Sequence, residues 1–270
     1  MTPARSTTAL EGRPSRGWQG DYLFLLRHLI QKDFKIRYRN MSLGVFWCLL
    51  NPLVMMGVLT FIFTRIFPNP SVEKFPLFIL CGLVPFNFFS QAWVTATTSL
   101  LENANLVKRV AVPRQIFPIS AVLSNCVHLS AQIGLLLVLV IVFGRGVNAY
   151  WLWLPVIWGL EVIFVCGLGL IFSAMDVYIR DMRYVVESCN LVLFWLVPIF
   201  YPFSMIPARY QNIYQFNPVA ALVLASRNIL LEGKAPPDSM LYKLLISSFA
   251  MLTLGSVLFG WMKRRFYDHL

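Results

Sequence analysis

Charged residues are scarce in this chain of 270 residues: they make up 13% of it, whereas hydrophobic residues make up 58%. The mean hydropathy is +0.66. An ordinary soluble domain carries about 25% charged residues and needs only enough apolar residues to fill one core. The composition therefore excludes a soluble globular domain and predicts an all-α membrane protein.

Acidic residues are rarer than basic ones, with 12 Asp and Glu against 23 Lys and Arg. The acids form no metal-binding or acid/base cluster along the sequence, and Ser, His and Cys show no spacing typical of a nucleophile or a ligand set. The five cysteines lie inside apolar runs without paired spacing, which indicates core residues. The sequence therefore disfavours an enzyme and predicts no metal.

A phosphate-binding loop is also missing. Such a loop needs Gly-x-x-x-x-Gly-Lys and then Ser or Thr, and the nearest approach, Gly233-Lys234-Ala235, lacks the first glycine and the hydroxyl. We expect no cofactor on this chain; if ATP drives it, Mg-ATP binds a separate subunit. The net charge of +11 does not predict nucleic-acid binding, because the basic residues cluster at the ends of apolar runs.

Six apolar runs predict transmembrane helices. They cover residues 42–67, 75–101, 116–143, 150–175, 187–203 and 240–262. Residues 204–238 are mixed in polarity and hold an apolar piece too short to cross, which predicts a re-entrant outer helical hairpin before the last span. Residues 1–20 are polar and basic without the apolar stretch of a signal peptide, so we expect a disordered cytoplasmic tail.

The basic residues also predict the orientation. With both termini inside the cell, 16 of the 23 Lys and Arg residues lie in cytoplasmic segments. The positive-inside rule therefore favours an N-in, C-in topology.

The segment 21–41 is amphipathic at helical spacing, with Leu23, Leu26 and Leu29 on one side and Lys32 and Lys35 on the other. Because it runs directly into the first apolar run, it predicts a helix lying in the membrane interface, with its basic side toward anionic headgroups. The alternative is an amphipathic surface helix of a soluble domain.

Glu161 is the one acid deep in an apolar run. Folding the third and fourth runs about their shared turn brings Glu161 to the depth of Gln132, with His128 about one helical turn deeper. Two interpretations stay open: a polar clasp between the two helices, or an ion or substrate site.

Aromatic residues make up 15% of the chain. Several collect on the two proline-bearing runs, away from the positions expected of an interface belt: Phe86, Phe88, Phe89, Phe194, Trp195, Phe200, Tyr201 and Phe203. Stacked rings suit a sliding sugar polymer, so these residues are candidates for lining a polysaccharide channel. Ordinary lipid-facing or core packing is the alternative.

A family resemblance rests on motifs spread over nearly the whole chain. They are Lys32-Asp33-Phe34-Lys35-Ile36-Arg37-Tyr38-Arg39, Leu43-Gly44-Val45-Phe46-Trp47, Asn51-Pro52, the link 103–118, Tyr178-Ile179-Arg180-Asp181, Pro198 to Pro202, and Asn217-Pro218 to Gly233. In order and spacing they resemble permease subunits of ABC-2 type exporters. The likeness is greatest to the branch that exports O-antigen, teichoic acid and related lipid-linked polysaccharides.

The resemblance implies that residues 21–270 form an ABC-2 type transmembrane domain, with residues 101–115 as a coupling helix and the outer hairpin closing the exit. It also implies a homodimer working with two copies of an ATP-binding cassette subunit. Carried over by position, the residues that meet the ATPase are Asn103, Asn105, Leu106, Val107, Lys108 and Arg109. Those at the entrance for a lipid pyrophosphate headgroup are Arg27, Lys32, Lys35, Arg37 and Arg39.

The sequence therefore predicts the permease of an ATP-driven exporter in the bacterial inner membrane, moving an undecaprenyl-pyrophosphate-linked O-antigen or a related surface polysaccharide. One alternative is an ABC-2 permease for small hydrophobic molecules or drugs. The other is a membrane-embedded lipid-modifying enzyme.

Overall fold

The described residues of the chain are helical throughout, apart from short connections. The computed structural model describes residues 21–39, 44, 46–66, 74–109, 112–144, 146–207, 209–211, 214, 217–263 and 266. The predicted tail, residues 1–20, lies outside them.

Nine helices appear among the described residues. They are α1 (Tyr22–Tyr38), α2 (Phe46–Phe61), α3 (Phe75–Glu102), α4 (Ala104–Arg109), α5 (Ile116–Phe143), α6 (Leu154–Tyr178), α7 (Met182–Leu196), α8 (Pro218–Arg227) and α9 (Asp238–Met262). Single π-helical turns extend α2 over Ile62–Ile66 and α8 over Asn228–Glu232, and short 3₁₀ turns cover Ala149–Trp153 and Phe203–Met205.

Five helical stretches of the described chain are long and apolar enough to cross a membrane: Phe46–Ile66, Phe75–Glu102, Ile116–Phe143, Ala149–Tyr178 and Asp238–Met262. They match five of the six predicted runs. The sixth, predicted over 187–203, differs, because α7 has only 15 residues. At 1.5 Å per residue it spans roughly 22 Å, less than the roughly 30 Å of a bilayer core.

The helices pass between two ends of the bundle, which we call proximal and distal. The proximal end holds an apolar cluster that includes Leu100, Phe117, Val177 and Phe259, where α3, α6 and α9 finish and α5 begins. At the distal end the Lys74 amine donates to the Gly144 carbonyl at 3.1 Å, and the Asn148 side-chain amide donates to the Ile229 carbonyl at 2.9 Å. Successive long helices are therefore antiparallel.

Glycines let α6 pack tightly against its neighbours. A Cβ on Gly167 would lie 2.5 Å from the Met251 carbonyl carbon of α9, and a Cβ on Gly169 would lie 2.7 Å from the Ala96 Cβ of α3. Small residues that allow such close approach are typical of helix contacts in membranes.

Residues 197–202, which follow α7, are not helical. Pro198 disfavours a helical conformation at Val197, which is extended with φ −70° and ψ 135°. Residues Val197 and Ile199 are fully buried, so the segment runs through the protein interior. Broken backbone of this kind is tolerated at membrane depth only where the protein supplies hydrogen bonds.

Arg227, at the end of α8, supplies those hydrogen bonds. Its guanidinium donates to the carbonyl oxygens of Pro198 and Ile199, both at 2.5 Å, and to that of Phe78 at 3.2 Å. The same group lies 3.4 Å from the centre of the Phe78 ring. The whole of α8 after Pro218 is buried, and its following turn ends at Gly233, whose φ of 67° suits glycine.

Candidate functional site

A polar cleft runs between α1, α2, α3 and α5. It consists of two cavities, a proximal cavity of 350 Å³ and a central cavity of 410 Å³, which share Arg37 and Thr95 in their linings. The proximal cavity is also lined by Lys32, Asp33, Ile36, Ser99, Glu102, Asn103, Ala121, Ser124 and Asn125. The central cavity is also lined by Tyr38, Trp47, Cys48, Asn51, Ser90, Gln91, Val94, His128 and Gln132.

The cleft forms because α1 packs alongside α5. Leu29 belongs to the proximal apolar cluster, which also contains Phe117 of α5. Further along both helices, the Arg37 guanidinium donates to the Asn125 side-chain oxygen at 2.9 Å. Asn125 lies eight residues beyond Phe117, which is roughly 12 Å of helix. Helix α1 thus packs along the proximal half of α5.

Helix α2 packs along the next part of α5. The Gln132 side-chain amide donates to the Cys48 carbonyl at 3.0 Å, near the start of α2. The Tyr38 hydroxyl, at the end of α1, lies 2.5 Å from His128 Nδ1. Burial raises the pKa of Tyr38 to about 12, so its hydroxyl keeps its proton near neutral pH. The central cavity therefore lies between the end of α1 and the start of α2.

Two cations face this cleft in different surroundings. The Lys32 amine donates to the Asn103 side-chain oxygen at 2.5 Å and lies 3.3 Å from an Asp33 carboxylate oxygen. Arg37 contacts the neutral amide of Asn125, which in turn donates to the Thr95 hydroxyl at 2.8 Å. Arg37 thus places a positive charge at the junction of the two cavities, and its hydrogen bond to the Asn125 amide fixes the position of the guanidinium.

The five basic residues predicted at a headgroup entrance separate into two groups. Lys32 and Arg37 are half-buried and line the cleft, whereas Arg27, Lys35 and Arg39 are exposed on other faces of the chain. The structure therefore brings together two of the five.

The predicted clasp between Glu161 and Gln132 or His128 is wrong. Glu161 is fully buried on α6, and neither of its carboxylate oxygens has a hydrogen-bond partner among the described residues. His128 and Gln132 bond to Tyr38 and Cys48 instead, because α1 and α2 pack against the face of α5 that carries them.

The predicted aromatic residues lie in two places. Phe86, Phe88 and Phe89 are buried in the core of the chain. Phe194 and Trp195, in the last turn of α7, form a ring cluster with Phe200 and Tyr201, which follow the helix. The rings of Trp195 and Phe200 are centred 5.1 Å apart, and Phe86 joins the cluster at 5.5 Å from Phe194. Trp195 is 59% exposed, and Phe203 is half-buried beside this core. Phe63 also stacks on Phe200, at 5.3 Å.

The helix observed in the predicted coupling segment is shorter than the predicted range, 101–115. Helix α4 covers Ala104–Arg109, and residues 112–115 are not helical. Val107 is buried in the proximal cluster, whereas Asn105, Leu106 and Lys108 are exposed. The Asn103 side chain accepts a hydrogen bond from Lys32 and donates one to the Ser99 carbonyl. The side chain of Arg109 lies outside the described part of the chain.

The sequence interpretation missed Asn125 and Arg227, although each left a signal. Asn125, His128 and Gln132 recur at helical spacing along α5 and form a polar stripe in an otherwise apolar helix. Arg227 is a lone cation at the end of the buried apolar run of α8. Polar residues inside such segments are costly without polar neighbours, and in the structure Asn125 bonds to Arg37 while Arg227 bonds to the Pro198 carbonyl.

Comparison with known proteins identifies the family of this chain. The model of the family described as "ABC-2 type transporter" matches residues 25–231. The chain belongs to this family. It is a multi-pass protein of the bacterial inner membrane.

Several named relatives of this ABC-2 chain align over most of its length. An "O-antigen export system permease protein RfbA" of Klebsiella pneumoniae is 30% identical over 92% of this chain and 96% of its own. A protein of the same name from Myxococcus xanthus is 28% identical over the same shares. A "Polysialic acid transport protein KpsM" of Escherichia coli is 26% identical over 86% of this chain and 90% of its own.

Proposed function

We propose that this chain is the membrane-spanning permease subunit of an ATP-driven exporter of surface polysaccharide. Its cargo is O-antigen or a related glycan attached to undecaprenyl pyrophosphate. The names of the aligned relatives support a polysaccharide cargo. The polar cleft supports an anionic, lipid-linked form of it, because a headgroup can enter the cleft while its lipid tail stays in the bilayer.

The observation that carries the proposal is the position of Arg37. It lies at the junction of the two cavities, and its described side-chain partner is an amide and not a carboxylate. A guanidinium in this setting keeps donors for a phosphate, which it can bind in bidentate fashion. Lys32 adds a second cation at the proximal mouth, where the pyrophosphate first arrives.

In this proposal the proximal end faces the cytoplasm, and the chain makes six passes. The sixth is α7 together with the buried segment after it, which Arg227 stabilises. Both termini are then cytoplasmic, as the distribution of Lys and Arg favours. Helix α8 and its turn form the re-entrant hairpin on the outer side.

The nucleotide belongs to a separate ATP-binding subunit in this proposal, and Mg-ATP binds there. Two permease chains and two ATPase chains form the working unit. Helix α4 docks on the ATPase through Asn105, Leu106 and Lys108, while the buried Val107 transmits the movement to the proximal cluster. Closure of the ATPase pair opens a channel between the two permeases.

The relatives do not favour the alternative cargo, small hydrophobic molecules or drugs, because their names specify polysaccharides. A cleft lined by amides, hydroxyls, cations and the carboxylates of Asp33 and Glu102 also suits a polar headgroup better than an apolar drug.

Complementation tests the proposed function. The chain and its cognate ATPase are expressed in a bacterium that lacks its own O-antigen export permease and still makes the lipid-linked glycan. We expect surface polysaccharide to return only when both subunits are present. Continued accumulation of the glycan inside the cell, with both subunits in the membrane, would contradict the proposal.

A further inference from the structure

The central cavity contains polar atoms that the described chain leaves without partners. His128 Nε2 and Gln132 Oε1 are buried and have no hydrogen-bond partner among the described residues. Their side chains are 4% and 5% exposed, and both line the cavity. Because buried polar atoms in proteins are nearly always paired, these two atoms indicate a polar ligand.

The rest of the lining indicates what kind of ligand fits. Asn51 and Gln91 add two further side-chain amides, each of which both donates and accepts hydrogen bonds. Tyr38 and Trp47 add aromatic rings that can cover an apolar sugar face. No carboxylate occurs among the described residues that line this cavity. Amides beside rings, without acids, suit an uncharged ring bearing several hydroxyl or acetamido groups.

The position of the cavity relates it to the lipid pyrophosphate. The central cavity shares Arg37 with the proximal cavity, through which the headgroup enters in the proposed function. A pyrophosphate held at Arg37 places its lipid ester on one side and its glycosidic bond on the other. The group that follows the glycosidic bond is the first sugar of the glycan.

Resting on the proposed function, we infer that the central cavity is a recognition site for the first sugar, the pyranose joined directly to the lipid pyrophosphate. His128 and Gln132 bind its hydroxyl or acetamido groups, and Trp47 at the mouth packs against its ring. The chain then selects its cargo partly by this sugar, independently of the length and composition of the polymer beyond it.

Binding of two defined lipids to the purified chain in lipid nanodiscs tests the inference. The probes are undecaprenyl diphosphate and the same lipid carrying a single N-acetylglucosamine. We expect the glycolipid to bind about tenfold more tightly than the bare lipid, as one or two added hydrogen bonds would give. Gln132→Leu and His128→Phe should each remove most of this preference while changing the affinity for the bare lipid by about twofold or less.

Ser130→Ala is the matched control, because Ser130 lies on α5 between the two residues but is exposed and bonds to the Val127 carbonyl. It should keep the full preference. Retained binding of the bare lipid also shows that each variant is folded. Equal binding of both lipids by the unaltered chain, or a parallel loss of both in the variants, would overturn the inference.

The same experiment separates this inference from the proposed function. Arg37→Gln should weaken both lipids, since it removes the pyrophosphate contact. If Arg37→Gln leaves bare-lipid binding unchanged, the headgroup site of the proposed function is wrong. If only the preference for the glycolipid is absent, the sugar site is wrong and the headgroup site stands.

Discussion

The Arg227 guanidinium donates a 2.5 Å hydrogen bond to the carbonyl oxygen of Pro198, two residues after α7 has ended. Helix ends leave carbonyls without helical partners, and inside a membrane protein no bulk water replaces them. One side chain from α8 thus stabilises the break in the backbone that follows α7.

Replacing Arg227 should therefore destabilise the fold. Arg227→Met leaves the carbonyls of Phe78, Pro198 and Ile199 unsatisfied, and we expect a loss of about 3 kcal/mol or more in the free energy of unfolding. Arg227→Lys should lose less, because its single ammonium can satisfy some of these carbonyls. Titration with a denaturing detergent measures both. The control is Arg209→Met at an exposed arginine, and a loss no larger than its own would contradict the role of Arg227.

Gly167 should tolerate no side chain. An added Cβ would lie 2.5 Å from the Met251 carbonyl carbon, so Gly167→Ala must push α6 and α9 apart, at a cost of about 1–3 kcal/mol. Gly159→Ala on the same helix meets nothing within 4 Å and should be neutral or stabilising by up to about 1 kcal/mol. Thermal unfolding in detergent compares them. Similar midpoints for the two variants would show that the helices are not in close contact.

Glu161 should be dispensable for export. It is fully buried, and its carboxylate oxygens have no partner in the described part of the chain, so nothing there compensates a charge. Glu161→Gln and Glu161→Leu should keep surface polysaccharide at the normal level, and Glu161→Leu should unfold no more readily than the unaltered chain. Loss of export in a variant that still folds would restore the interpretation of Glu161 as an ion or substrate site.

The four basic residues in the second half of α1 and just after it should differ in importance. Lys32→Gln and Arg37→Gln remove charges from the polar cleft, and we expect export to fall about tenfold or more for each. Lys35→Gln and Arg39→Gln remove exposed charges and should change it by less than about twofold. Surface polysaccharide in the complemented strain is the readout. Equal losses for all four would indicate a general attraction to the membrane surface in place of a site.

Leu106 and Val107 should separate docking from folding. Leu106 is 41% exposed on α4, and Leu106→Asp should abolish co-purification with the ATPase while the permease itself stays folded. Val107 is buried, and Val107→Ala should lower the unfolding free energy by about 1–2 kcal/mol and leave co-purification intact. Val147→Asp, exposed at the distal end, is the control. Normal ATPase binding by Leu106→Asp would show that α4 is not the docking helix.

Much of the fold followed from hydropathy, because apolar runs of about 20 residues have few alternatives to spanning helices. Five of the six runs agree. The exception, α7, depends on the position of Pro198, which ends the helix early, and on Arg227, whose partners lie 28 and 29 residues away. No local pattern connects the two.

The candidate site was harder to predict, since it depends on which face of α5 meets which helix. Depth alone suggested that Glu161, Gln132 and His128 would meet. Rotation about the helix axis decided otherwise: His128 and Gln132 face α1 and α2, and Glu161 stays inside the bundle. Helical spacing does identify residues that share a face, but it does not identify the neighbour of that face.

The most direct test uses vesicles that contain purified permease, with or without its ATPase, and lipid-linked polysaccharide in the outer leaflet. Protection of the glycan from an added glycosidase reports its transfer to the lumen through inside-out complexes. The account predicts protection only when both subunits and ATP are present, and its loss in Arg37→Gln. Protection by the permease alone, or ATP hydrolysis by the permease alone, would contradict it.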